Sequence, residues 1–149
     1  MTGTVVAELH YRDPATALTW LSEAFGFETR MIVTGPDSNI IFAETGFGDL
    51  TVAIVPEQGD DNRSPLAVGG VNTQIVRIRS DRDVDDHCEK ARQAGARVIQ
   101  DPETFFFGDR TYIAADLEDH LWTFANEVPG ASGPPPEGIT VQFPTRDQA

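Results

Sequence analysis

The chain has 149 residues, 40% of them hydrophobic and 23% charged, which suits one globular domain with a real core and argues against wholesale disorder. Its 24 acidic residues outnumber 11 basic ones, a net charge of −13 that repels phosphate backbones and anionic lipid, so no nucleic-acid or membrane partner is expected. A single cysteine, Cys88, rules out an intrachain disulfide. With no run near ~20 apolar residues and no signal-peptide pattern in MTGTVVAELH, it gives the expectation of a cytoplasmic protein.

Residues 4–11 open as a β-branched run and read as a strand. Asp13-Pro14 then supplies a helix cap followed by proline at the first helical position. Ala17, Leu21, Ala24 and Phe25 form one apolar stripe, and Gly26 stands where a helix-terminating glycine belongs. Strands are predicted at Phe27–Thr34, Asn39–Glu44 and Leu50–Val55, separated by glycine-containing turns. The segment from Pro56 to Gly70 is polar, rich in glycine and proline, and reads as a linker.

After it the same order returns. Val71–Arg79 is a predicted strand, and Asp83 caps a helix with Val84, Cys88, Ala91 and Ala94 on one face and Gly95 at its end. Three more strands follow at Ala96–Ile99, Arg110–Ala115 and His120–Ala125. The halves, about 4–56 and 71–127, are therefore two copies of βαβββ, and residues 1–127 form one domain of the α+β class. The best register sets Arg12–Glu28 against Arg82–Val98, each opening on Arg-Asp. Residues 128–149 are a proline-rich tail. Pro134-Pro135-Pro136 forbids a helix there, while Ile139–Phe143 alternates and suits an edge strand or a contact with a neighbouring subunit.

Two tandem units of this kind, with the runs WLSEAFGFE and FGDRTYIAADLEDHLWTF, resemble the vicinal oxygen chelate superfamily of glyoxalases, bleomycin-resistance proteins and extradiol dioxygenases. The likeness is strongest to its glyoxalase-like and bleomycin-resistance-like branch. It implies a curved mixed sheet around a ligand cup and, by analogy, a homodimer whose subunits share the clefts. Enzymes of the superfamily hold a divalent metal through His and Glu on the first and last strands of both units. The matching positions here are Val6, Val52 or a neighbour, Thr73 or Gln74, and Thr123, none of which is His, Asp or Glu. No metal and no cofactor is therefore expected.

Period-two geometry on the first strand sets Glu8 and His10 on one face, roughly 6.6 Å apart along the strand. If that face lines the cup, they are the candidate ligand-binding or catalytic pair; otherwise they meet only solvent. Arg77 and Arg79 oppose the apolar Val76 and Ile78. They either enter the cup to recognise an anionic or carbonyl group or form surface ion pairs. Phe105 and Phe107, with Phe106 between them, form either a pocket wall or a packing seam. Tyr112 and Thr123 complete the candidate ligand contacts, with Leu121 and Ala125 beside Thr123 on the cup side and Trp122 and Phe124 in the core. His87 is expected on the solvated side of the second helix, His120 in a structural turn, Cys88 in packing, and Trp20 at a subunit contact.

Three functions follow in order of support. The first is a metal-free protein that binds or sequesters an antibiotic-like or cationic small molecule, and the second a metal-independent isomerase or lyase using His10 with Glu8. The third is a glyoxalase- or dioxygenase-type metalloenzyme whose ligands have moved to Glu8, His10 and Glu44.

Overall fold

The computed structural model describes residues 2–144. Strand β1 (Ala7–Tyr11) leads into helix α1 (Pro14–Phe25), and β2 (Glu28–Thr34), β3 (Ile40–Gly46) and β4 (Val52–Pro56) complete the first unit. A short 3₁₀ turn at Pro65–Val68 sits in the linker. The second unit is β5 (Val76–Arg79), α2 (Val84–Gln93), β6 (Arg97–Thr104), β7 (Asp109–Ala115) and β8 (Leu121–Glu127).

Both helices start where the sequence places them, for the capping reason. The Asp13 carboxylate accepts from the backbone N–H of Thr16 at 3.1 Å and from its hydroxyl at 2.7 Å. Gly26 ends α1 at φ 71°, a left-handed conformation that glycine adopts without a Cβ clash. Asp83 likewise accepts from Asp86 N at 3.0 Å. In α2, acidic Asp85 and Asp86 occupy the first turn and basic Lys90 and Arg92 the last, matching the helix dipole.

The strands form two four-stranded sheets, ordered β1-β4-β3-β2 and β5-β8-β7-β6. In each, the first strand lies parallel to the last and the other pairs are antiparallel. The repeat read from sequence is thus a repeat of topology, with each unit closing its own sheet. Strand β6 runs through Asp101-Pro102, beyond the expected end at Ile99. It is a sheet edge, where a proline need not donate to a neighbour. Strand β5, in contrast, begins only at Val76, and 71–75 are irregular. At Ile139–Phe143 no strand forms; Ile139, Val141 and Phe143 stay exposed.

The helix-bearing faces of both sheets share one core. Phe25, at the end of α1, meets Trp122 and Phe124 of β8 at ring-centroid distances of 5.7 and 4.7 Å, and Phe27 meets Trp122 at 5.5 Å. Truncating such a fully buried ring costs about 3–5 kcal/mol, so these few rings join the units strongly. Arg82 adds a cation–π contact, 3.7 Å above the Phe47 ring, and reaches the Phe25 carbonyl. Cys88 is buried in this core, and Trp20, expected at a subunit contact, packs edge-on against Phe25.

Candidate functional site

Leu9 and Tyr11 point into the core, so strand alternation turns Glu8 and His10 to the opposite face of β1. Both line a pocket of about 320 Å³ that the linker and the approach to β5 complete. Asp60, Asp61 and Arg63 contribute from the linker, Asn72, Thr73 and Gln74 from before β5, and His120 from the turn before β8. Arg63 is paired with Glu57 at 3.2 Å, so Glu8, Asp60 and Asp61 make the pocket acidic.

The end of β1 is held by the Asp116-Leu-Glu-Asp-His120 turn of the second unit. Glu118, itself buried, accepts from Arg12 N at 2.7 Å and Asp13 N at 3.0 Å, satisfying two backbone donors ahead of α1. Asp116 accepts from the Tyr11 hydroxyl and from Trp122 Nε1, and its other oxygen takes the backbone N–H groups of Glu118 and His120. Burial raises the Asp116 pKa against these donors, and burial with the neighbouring Asp116 charge raises that of Tyr11. His120 Nε2 lies 2.7 Å from the carbonyl of His10 and its ring packs 4.5 Å from that of Tyr11. His120 is thus a pocket residue as well as a turn residue. The sequence marked the turn, but a contact across 110 positions leaves no local trace.

The other expected contacts lie elsewhere. Tyr112 is fully buried, stacked on Phe124, with its hydroxyl bonded to His87 Nδ1; it belongs to the core and does not line a cup. His87, expected in solvent, is buried between that hydroxyl and the Phe25 carbonyl, 2.9 Å from its Nε2. Burial lowers the His87 pKa and raises that of Tyr112. The apolar stripe on α2 could not reveal this, because the partners come from β7 and from the other unit.

Arg77 and Arg79 project from the face of β5 opposite buried Ile78, and both donate to one oxygen of buried Asp109. Thr123 pairs in register with Arg77 and is buried beneath this cluster. Phe105 and Phe107 stack in the β6–β7 turn with ring centroids 5.6 Å apart, and Phe107 is half-exposed. None of Arg77, Arg79, Phe105, Phe107 and Thr123 lines the pocket that holds Glu8 and His10.

The superfamily's metal positions can be judged on their donors. Val52 is packed in the core, Ala53 beside it carries no donor, and Thr73, Gln74 and Thr123 offer only hydroxyl or amide groups. The relocated set fares no better: Glu8 and Glu44 both register with Ala53, one on each side. They stand two strands apart, and with His10 they form no converging group among the described residues. Among the described residues no three His, Cys, Asp or Glu side chains converge on one point. The residues present do not fit the superfamily's metal.

The profile of the Glyoxalase/Bleomycin resistance protein/Dioxygenase superfamily matches residues 5–124. The chain belongs to that superfamily. It is 31% identical over 120 residues to the uncharacterized protein Mb0911c of Mycobacterium bovis, covering 78% of each. Among solved structures it resembles TioX from Micromonospora sp. ML1, with a TM-score of 0.66, 30% identity and coverage of 85% of this chain and 97% of that one. TnmS3, an antibiotic binding protein from Streptomyces sp. CB03234, shares the fold with a TM-score of 0.64 at 17% identity, over 85% of this chain and 98% of that one. No helix among the described residues is long and apolar enough to cross a membrane.

Proposed function

We propose that this superfamily member is a cytoplasmic, metal-free binding protein that sequesters a small, antibiotic-like or cationic organic molecule. The observation that carries the reading is the pocket at Glu8 and His10: acceptor-rich and acidic, with no set of side chains suited to a divalent ion among the described residues. The occurrence of this fold in the antibiotic-binding TnmS3 supports it. A homodimer accompanies the reading, supported by the exposed Met31, Ile32 and Val33 of the edge strand β2.

The test is calorimetric titration of the metal-stripped protein with glycopeptide and polycyclic aromatic antibiotics. The expected result is saturable binding that Glu8→Gln and His10→Ala each weaken about tenfold or more, with the compound recovered unchanged. Failure of every compound to bind or to raise the melting temperature would sink it. The shared face of Glu8 and His10 favours one second reading, a metal-independent isomerase or lyase. Chemical conversion of a bound compound, lost in His10→Ala, would establish that reading instead.

A further inference from the structure

His120 reaches the pocket on a ring whose two nitrogens have different fates. Nε2 lies 2.7 Å from the His10 carbonyl, which only accepts, so Nε2 carries the hydrogen. In the neutral ring Nδ1 is then a bare acceptor, and among the described residues nothing donates to it. The ring cannot readily swap roles. Its backbone N–H is fixed on Asp116 at 3.1 Å, its ring packs against Tyr11, and turning it over would put Cε1 in place of Nε2 and lose the hydrogen bond to the His10 carbonyl.

We propose that His120 is a ligand-recognition residue of this pocket, presenting Nδ1 as the acceptor for an N–H donor of the ligand, a primary ammonium group. The inference rests on the reading of the pocket as a small-molecule site and specifies the ligand chemistry. The surroundings agree: Glu8, Asp60 and Asp61 add acceptors and negative charge, while Arg63 is occupied by Glu57. A primary ammonium brings three donors and a positive charge, and so meets both features. A quaternary ammonium brings the same charge with no donor, which separates hydrogen bonding at His120 from charge attraction.

The experiment is an NMR titration of the full chain, labelled with ¹⁵N, using benzylamine and benzyltrimethylammonium as probes. Free protein should show the His120 Nδ1 resonance of an unprotonated nitrogen. Benzylamine should move it upfield saturably, with benzyltrimethylammonium at least tenfold weaker. His120→Gln keeps an N–H for the His10 carbonyl; it should fold as the parent does and lose the preference for benzylamine. Equal affinity for the two probes, no saturable shift at His120, or a free-state ring protonated on Nδ1 would each overturn the proposal. Because the probes are not antibiotics, antibiotics can fail to bind while this test succeeds, so failure of the broader reading is told apart from failure here.

Discussion

The Tyr11 hydroxyl donates to the Asp116 carboxylate, joining residues 105 positions apart at the seam between the two units. Tyr11 ends the strand that carries Glu8 and His10, and Asp116 begins the turn that carries Glu118 and His120. One buried bond therefore fixes the pocket wall and the inter-unit packing together.

Tyr11→Phe removes the hydroxyl and leaves the Asp116 oxygen with Trp122 alone. The expected loss is about 1–3 kcal/mol, the usual worth of one hydrogen bond to a charged group. Asp116→Ala should cost more, because Tyr11, Trp122 and two backbone N–H groups all lose their partner. Urea unfolding of each variant checks both the size and the order.

His87 sets a pH dependence whose sign follows from its site. As a neutral ring it accepts from Tyr112 and donates to Phe25, and burial holds its folded pKa below the ordinary histidine value. The unfolded chain therefore binds the proton more readily. Its contribution is fully present above about pH 6.5 and is lost as pH falls below that, at most by about 1.4 kcal/mol per pH unit. Urea midpoints between pH 5 and 8 should slope less steeply in His87→Gln than in the parent chain.

Thr45 is fully buried, and its hydroxyl finds no hydrogen-bond partner among the described residues. Thr45→Val keeps the shape and the strand preference while removing an unsatisfied group. The variant should match or exceed the parent in stability by up to about 1 kcal/mol. A lower melting temperature by calorimetry would contradict this.

Gly46 ends β3 where the chain folds back, and a Cβ built there would lie 2.0 Å from the Leu50 carbonyl oxygen. The obstacle is backbone and cannot swing aside. Gly46→Ala should cost about 1–3 kcal/mol or more, whereas Gly48→Ala, whose Cβ meets nothing within 4 Å, should cost less despite its left-handed φ of 57°. Thermal unfolding of the pair checks the contrast.

Local sequence by itself determined the repeat, both helices and the inward face of β1. Caps at Asp13 and Asp83, glycine at 26 and period-two alternation act within a few residues, so each is legible without a partner. The resemblance to the superfamily supplied the offsets of its metal positions, and the residues there, Val6, Val52 or a neighbour, Thr73 or Gln74, and Thr123, are read without coordinates. The tertiary structure alone decided which polar groups meet. It buried His87 and Tyr112 together, turned the Asp116–His120 turn into the clasp on β1, and left Arg77, Arg79, Phe105 and Phe107 outside the pocket. Periodicity tells a side chain which face to take, but its partner on that face is set by how the two sheets pack, a relation spanning a hundred residues that no local pattern encodes.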